Sequence, residues 1–171
     1  MHQQQAQLPV PGIEAQAHSQ QLIDLIRDEI QQQGGKISFR DYMQMALYAP
    51  GLGYYVAGSH KLGAEGDFVT APELSPLFSH CLAQAIAPAL RELSEANILE
   101  AGAGSGVMAA EILSHLSSIG QLPEHYYILE LSGELRERQR QTIGQRVPDC
   151  LSRVVWLDEL PEKLTAIVLG N

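Results

Sequence analysis

Ile98-Leu-Glu-Ala-Gly-Ala-Gly-Ser-Gly-Val107 indicates the fold of this protein more clearly than any other part of its sequence. A short apolar run ends in an acid, three glycines follow at alternate positions, and apolar residues then recur at helical spacing. A strand that leads through a glycine turn into a helix is how α/β folds bring backbone close to a nucleotide-like ligand. We therefore predict that Gly102, Gly104 and Gly106 form a cofactor-binding turn.

The spacing of these glycines separates two kinds of nucleotide ligand. Gly102 can adopt a positive φ, Gly104 lets backbone approach a ligand because it has no Cβ, and Gly106 allows close packing of the helix start. The dinucleotide fingerprint G-x-G-x-x-G would need glycine at position 107, where this chain has Val107. The pattern favours a ligand without a pyrophosphate, and a glycine turn with no ligand is the alternative.

Two acids stand at the ends of neighbouring predicted strands. Glu100 ends the run before the glycines, and Glu130 follows the strand-like residues Tyr126–Leu129. Ligands of open α/β sheets lie outside the carboxyl ends of the strands, where the Glu130 carboxylate can accept both hydroxyls of a ribose. Acids at adjacent strand ends suit a ligand with an amino group and a ribose, which favours S-adenosylmethionine over NAD. The alternative for Glu130 is a solvated surface carboxylate.

Two further candidates follow the third and fourth predicted strands. Asp158 and Glu159 come directly after Trp156-Leu157, where a carboxylate can accept the amine of an adenine ring; the alternative is a solvated pair. Asn171 ends the fourth strand, at a position that faces the reacting centre in this kind of fold, and an amide there can orient a nucleophile. Asp158 is therefore a candidate cofactor contact, and Asn171 is the catalytic candidate.

The order of the predicted elements divides the chain into two regions. Residues 1–94 form a helical N-terminal region with a glycine-rich loop over 51–73, and residues 95–171 alternate strands with helices. Such alternation predicts an α/β fold with a parallel, doubly wound sheet. The last predicted strand stands at the end of the chain, so we expect an N-terminal portion of a longer protein, with a sheet truncated after its fourth strand. The unpaired edge of that sheet could join a second copy of the chain.

Apolar spacing and capping residues predict three N-terminal helices, which begin near Leu22, Ser38 and Ser75. Pro88 is expected to kink or end the third helix, and Cys81 is expected to lie on its buried face. The Gln-rich residues 1–17 show no apolar period, and we expect them to be disordered.

The bulk composition narrows the classes of partner. The 171 residues carry 20 acids and 11 bases, for a net charge of -9, which argues against a nucleic-acid partner because phosphate binding needs a basic surface. No stretch approaches the ~20 apolar residues of a membrane helix, and neither a secretory signal nor a mitochondrial presequence is visible. Two distant cysteines without metal-type spacing predict a reduced protein of the bacterial cytoplasm that holds no metal.

Longer strings of the sequence resemble the MidA family of class I S-adenosylmethionine-dependent methyltransferases, whose mitochondrial members assist assembly of respiratory complex I. The strings are Phe39-Arg-Asp-Tyr-Met-Gln-Met-Ala-Leu-Tyr-Ala-Pro-Gly-Leu-Gly-Tyr-Tyr55, Gly66-Asp-Phe-Val-Thr-Ala-Pro-Glu73, Leu99-Glu-Ala-Gly-Ala-Gly-Ser-Gly106, Tyr127-Ile-Leu-Glu-Leu-Ser132 and Leu169-Gly-Asn171. The first two are the specific ones, since the glycine string is generic to methyltransferases. The resemblance spans nearly the whole chain, from Leu22 to Asn171.

The resemblance implies a Rossmann-like class I methyltransferase sheet after an α-helical N-terminal region, with S-adenosyl-L-methionine as the cofactor. It implies that the three glycines line the cofactor, that Glu130 holds the ribose, and that Thr70 and Pro72 lie near the methionine end. Family members resemble protein arginine methyltransferases, so the implied partner is a protein substrate. Members are longer than this chain, and an acid usually follows the Gly-Asn pair.

Three alternatives stay open on the sequence alone. An NAD-dependent oxidoreductase would need glycine at position 107 and an acid ~20 residues past the glycines. A non-catalytic assembly module would contact a partner without turning over a substrate. Asp67, Thr70 and Glu73 are polar groups among apolar ones, and they could cap the helix that follows instead of serving a site.

Overall fold

The structure, a computed structural model, describes residues 10–56 and 70–171. Its internal contacts divide the chain into two compact units, Met1–Ala57 and Gly58–Asn171. This division of contacts lies at residue 57, and the domain boundary near residue 94 stays a prediction. The long helix before the sheet belongs to the second unit because it packs against the helix that follows the first strand.

The first unit contains two helices, α1 (Ile13–Gln32) and α2 (Phe39–Tyr48). α1 begins well before the predicted start at Leu22, so residues 13–17 are helical and the expectation of a disordered end is wrong for them. Their Ala, Gln and Glu side chains favour helix by intrinsic propensity, without any apolar period. α2 begins as predicted, because the Ser38 Oγ accepts a hydrogen bond from the Asp41 N–H at 3.1 Å.

The second unit begins, in its described part, with a short helix and a long one, α3 (Ala71–Leu74) and α4 (Pro76–Glu92). The Ser75 Oγ caps α4 by accepting a hydrogen bond from the Leu77 N–H at 3.2 Å, as the sequence predicts.

The structure bears on two expectations about α4. Of the two outcomes expected at Pro88, an end of the helix is excluded, because α4 continues to Glu92 with the buried Ala87 and Leu90 on either side of the proline, and a kink stays a prediction. The expectation that Cys81 lies on the buried face is wrong. Cys81 is exposed, because the buried face of α4 is a narrower stripe of Ser79, Ala83, Ile86, Ala87 and Leu90. The apolar spacing of the sequence is wider than this stripe, so it did not locate the buried side.

A four-stranded parallel sheet follows, in the order β3-β2-β1-β4. Its elements are β1 (Ile98–Ala101), α5 (Val107–Ser118), β2 (Tyr126–Leu129), α6 (Gly133–Arg146), a 3-10 turn (Pro148–Arg153), β3 (Val154–Leu157) and β4 (Ile167–Gly170). In register, Ala101 stands opposite both Leu129 and Gly170, so the carboxyl ends of neighbouring strands meet at one edge. The predicted α/β, Rossmann-like fold is confirmed, and the strand predicted over Tyr126–Leu129 is observed as β2.

α5 forms the centre of the core of this unit and packs on both α4 and α6. Seven of its twelve residues are buried, and Ile112, Leu113 and Leu116 have no exposed surface. Burying an aliphatic side chain of this size stabilises a fold by roughly 1.5–3 kcal/mol. The start of α5, and the glycine turn that enters it, is therefore held rigidly at the carboxyl edge of the sheet.

Two kinds of feature are absent from residues 10–56 and 70–171. None of the helices in these ranges is both long enough and apolar enough to cross a membrane. No group of three His, Cys, Asp or Glu side chains in them gathers as a metal site would require.

Candidate functional site

A cavity of about 70 Å³ lies at the carboxyl ends of β1 and β4. The glycine turn, α3, the start of α5 and the residue after β4 enclose it. The residues that line it are Thr70, Pro72, Glu73, Glu100, Gly102, Ala103, Gly104, Ser105, Met108 and Asn171. Six of the nine predicted site residues are in this set; the other three, Gly106, Glu130 and Asp158, are not.

All three glycines of the turn have left-handed backbone, with φ of 70° at Gly102, 53° at Gly104 and 82° at Gly106. Any other residue would be strained there. A Cβ added at Gly102 would meet no atom within 4 Å, so this part of the turn faces open space. A Cβ added at Gly106 would lie 2.9 Å from the Cα of Gln139, so Gly106 lets α5 begin against α6. The turn thus leaves room for a ligand at one end and packs tightly at the other.

Glu100 is buried, with 2% of its surface exposed, and it lines the cavity. Its Oε2 accepts a hydrogen bond from the Tyr126 O–H at 2.7 Å. Burial raises the pKa of the Glu100 carboxyl to about 7, and the tyrosine bond opposes this rise. Burial also raises the pKa of Tyr126 well above its ordinary value, and the neighbouring carboxylate adds to the effect. A cation in the cavity would favour the charged form of Glu100.

Glu73 is a site residue that the sequence did not place. The capping interpretation fails for it, because α4 is capped by Ser75 and no side-chain bond caps α3 at Thr70. Its Oε1 instead accepts a hydrogen bond from the Ser105 O–H in the glycine turn. Asp67, the third residue of that interpretation, lies outside the described residues. A polar residue at the start of a short helix gives no sequence signal of which loop it will reach.

The lining of the cavity is acidic. Glu73 and Glu100 both contribute, and none of the lining residues, all within the described residues 70–171, is a lysine, arginine or histidine. Two carboxyl groups in a partly enclosed space favour a cationic ligand group, since opposite charge lowers the cost of keeping them ionised. A primary ammonium or a sulfonium would match this lining.

Glu130 lies at the end of β2, with 6% of its surface exposed. Its Oε1 accepts a hydrogen bond from the Ser132 N–H at 2.9 Å, and its Oε2 accepts one from the Gln139 amide at 3.2 Å. A carboxylate can accept about four hydrogen bonds, so Glu130 can accept from a diol beside these two partners. Its role as the ribose ligand stays a prediction.

Asp158 follows β3 and is largely exposed. Its Oδ1 forms an ion pair with Nη2 of Arg136 at 2.6 Å. The same guanidinium donates to the carbonyl oxygens of Glu130 at 2.6 Å and Leu157 at 2.8 Å. Arg136 therefore ties the end of β2 to the end of β3, and Asp158 completes the last of its bonds. The predicted contact between Asp158 and an adenine amine stays a prediction.

Residues 81–171, more than half of the chain, match a family described as "Putative S-adenosyl-L-methionine-dependent methyltransferase". The chain belongs to this family. The family recognised from the sequence motifs is confirmed, and the cofactor is S-adenosyl-L-methionine.

Named relatives agree with this assignment. The chain is 33% identical over 118 residues to the zebrafish (Danio rerio) protein arginine methyltransferase NDUFAF7, mitochondrial, which covers 64% of this chain and 27% of that relative. The mouse (Mus musculus) protein of the same name is 32% identical over 128 residues, covering 67% and 28%. A crystal structure of a COG1565 superfamily member from Burkholderia thailandensis, bound to S-adenosyl-homocysteine, is 48% identical with a TM-score of 0.83. That match covers 95% of this chain and 43% of the other.

The residues present fit the cofactor of the family. The open face of Gly102 leaves space beside the turn, and the acidic lining at Glu73 and Glu100 matches the ammonium and sulfonium of its methionine end. Glu130 offers acceptor positions at the neighbouring strand end.

Proposed function

We propose that this chain is the cofactor-binding part of a methyltransferase that acts on a protein arginine. The observation that carries the proposal is the acidic cavity beside the glycine turn, where Glu73 and Glu100 meet the open face of Gly102. The named relatives and the family match support a methyltransferase. Because the chain covers about a quarter of the named relatives and under half of the solved one, the activity of the whole protein is part of the proposal.

The chain's own residues would bind and orient. The backbone at Gly102 and Gly104 would lie against the cofactor, the carboxylate of Glu130 would accept the ribose hydroxyls, and Glu73 and Glu100 would face its cationic end. When bound, the cofactor supplies a methyl group on a sulfonium, which is the reactive part of the system. The protein's contribution is to hold the two reactants in line at ~3–3.5 Å.

We propose arginine as the methylated residue because of its charge. A guanidinium is a cation that pairs with carboxylates in a fixed, bidentate geometry. Glu73 and Glu100 face the cofactor in this proposal, so the carboxylate for the guanidinium is a further one, and Asn171 lines the same cavity. We propose that Asn171 orients the incoming group and that a neighbouring carboxylate aligns the guanidinium. The partner is then a protein with an accessible arginine.

Calorimetric titration of the chain with S-adenosyl-homocysteine and with NAD tests the cofactor. The proposal expects saturable binding of S-adenosyl-homocysteine and none of NAD, because Val107 breaks the dinucleotide fingerprint. Binding of NAD alone, or of neither, would reject it.

Incubation of protein extracts with the chain and methyl-labelled cofactor, followed by identification of methylated residues, tests the activity. Label on arginine supports the proposal. Cofactor binding without any methyl transfer would favour the second candidate, an assembly module that contacts a partner. The acid-lined cavity is consistent with both candidates.

A further inference from the structure

Gln139 is an unusual residue to find buried on its helix. α6 reads GELRERQRQTIGQR, and its buried residues are Gln139 and Ile143. Gln139 has no exposed surface at all. Burying a side-chain amide costs free energy unless its hydrogen bonds are met, so the contacts of this one side chain show what it does.

Three hydrogen bonds meet the polar atoms of Gln139. Its Nε2 donates to the Gly104 carbonyl oxygen at 3.1 Å and to Oε2 of Glu130 at 3.2 Å. Its Oε1 accepts from Nε1–H of Trp156 at 2.9 Å. These partners lie after β1, after β2 and in β3, so one amide joins the carboxyl ends of three strands.

The chemistry of the partners fixes which way the amide points. The indole N–H of Trp156 can only donate, so it must face the amide oxygen. The Gly104 carbonyl and the Glu130 carboxylate can only accept, so both must face the amide nitrogen. The rotated amide would place a donor against a donor and an acceptor against two acceptors. Trp156 therefore holds the amide in the orientation that aims its N–H bonds at the glycine turn and at Glu130.

The backbone of Gln139 is held as firmly as its amide. A Cβ added at Gly106 would lie 2.9 Å from the Cα of Gln139, so α6 packs directly against the start of α5. The backbone of Gln139 therefore lies close against the glycine turn.

We infer that Gln139 is a positioning residue for the cofactor: it sets the orientation of the Glu130 carboxylate relative to the glycine turn. The inference rests on the proposed use of Glu130 as the ribose ligand. It assigns Gln139 no contact with the cofactor. Glu130 would otherwise be held by the Ser132 N–H, at its other oxygen.

A double-mutant cycle separates positioning from simple core packing. Glu130→Gln and Gln139→Met are made singly and together, and the affinity of the chain for S-adenosyl-homocysteine is measured by calorimetry. The matched control is Gln141→Met, because Gln141 is an exposed glutamine on the same helix whose amide donates to the exposed Glu137. If Gln139 acts through Glu130, each single substitution weakens binding about tenfold or more. The double variant then has about the same affinity as the single variant that binds less tightly. Independent effects would instead multiply, so the double variant would bind much less tightly than either single variant.

Gln139→Glu is a second variant in case the methionine chain folds poorly. It keeps the volume and the bond from Trp156, but it sets a carboxylate against the Glu130 carboxylate and the Gly104 carbonyl. Positioning predicts a loss of affinity at least as large as for Gln139→Met. Because a buried carboxylate also costs folding free energy, urea unfolding of the same variant is measured beside its affinity. A Gln139→Glu chain that stays folded and binds like Gln141→Met would contradict positioning.

Trp156 supplies a readout that needs no cofactor, since it is the only tryptophan in the chain. Glu130→Gln is expected to shift the emission of Trp156 when Gln139 is present and to leave it unchanged in the Gln139→Met background. Multiplicative affinity losses, or a Gln139→Met chain that binds like Gln141→Met, would overturn the inference while the proposed function stands. A wild-type chain that binds no S-adenosyl-homocysteine would overturn both.

Discussion

The acids at the two halves of the sheet edge look alike in sequence and differ in structure. At β1, the buried Glu100 has a tyrosine O–H as its partner and faces a cavity lined by a second acid, Glu73. At β2 and β3, the carboxylate of Glu130 is held by a backbone N–H and an amide, and Asp158 pairs with an arginine. The first half has two acids that face a cavity without a basic partner in its lining, and the second half has acids whose carboxylates are held by hydrogen bonds or an ion pair.

An acid at the end of a strand can therefore have different roles, depending on the groups that surround its carboxylate. Desolvation without a charged partner raises the pKa of Glu100 to about 7. The exposed Asp158 has a guanidinium at 2.6 Å, and an ion pair so open to solvent contributes little. Four predictions test the contrast, beginning with the largest expected effect.

Gly104→Val should abolish cofactor binding, because Gly104 lines the cavity and its φ of 53° strains a β-branched residue. We expect affinity for S-adenosyl-homocysteine, measured by calorimetry, to fall about 100-fold or more, or about 2.8 kcal/mol. Gly120→Val is the matched control, since Gly120 has a similar φ of 67° and lies outside the cavity. Equal affinities in the two variants would remove the glycine turn from the site.

Glu100→Gln should remove a pH dependence of stability. A carboxyl whose pKa is 4.5 unfolded and about 7 folded contributes stability that is fully present below pH 4.5 and is lost as the pH rises through 7. The loss amounts to about 3 kcal/mol. Urea unfolding at several pH values should show the free energy of unfolding of the wild type falling over this window relative to Glu100→Gln, which keeps the acceptor for Tyr126. If the free energies of unfolding of the two chains vary with pH in parallel, the raised pKa of Glu100 is contradicted. Glu162→Gln is the control, because Glu162 is an exposed acid.

Glu73→Gln should weaken cofactor binding while leaving the fold intact, because the amide oxygen can still accept from Ser105 but the charge is lost. A charge-assisted interaction is worth about 1.5–3 kcal/mol, which corresponds to an affinity loss of about ten- to a hundredfold. Calorimetry at neutral pH measures it. Ser105→Ala separates the two roles, since it removes the bond and keeps the charge; if both variants lose affinity equally, the bond and not the charge matters.

Arg136→Gln should destabilise the β2–β3 half by about 1–3 kcal/mol, because two strand-end carbonyls lose a half-buried donor. Asp158→Asn breaks only the exposed ion pair, and we expect less than about 1 kcal/mol. Chemical unfolding compares the two. If Asp158→Asn lowers the free energy of unfolding as much as Arg136→Gln does, the ion pair of Asp158 contributes more to stability than its exposure to solvent predicts.

The sequence predicted the fold well and the site in part. Alternating strands and helices gave four strands and the parallel sheet, and capping patterns gave the starts of α2 and α4. The glycine turn and the acids at the strand ends were recognisable because they belong to short, local patterns. The errors fell where no local pattern exists: the start of α1 and the exposure of Cys81.

Residues 98–107 determined by themselves that a strand, a glycine turn and a helix would follow one another, since backbone φ and side-chain period are properties of neighbouring residues. Only the tertiary structure decided that Glu73 would reach Ser105 and that Gln139 would join Gly104, Glu130 and Trp156. Those contacts join residues that are 9 to 35 positions apart in the sequence. Their geometry depends on how helices pack on the sheet, which no short stretch of sequence contains.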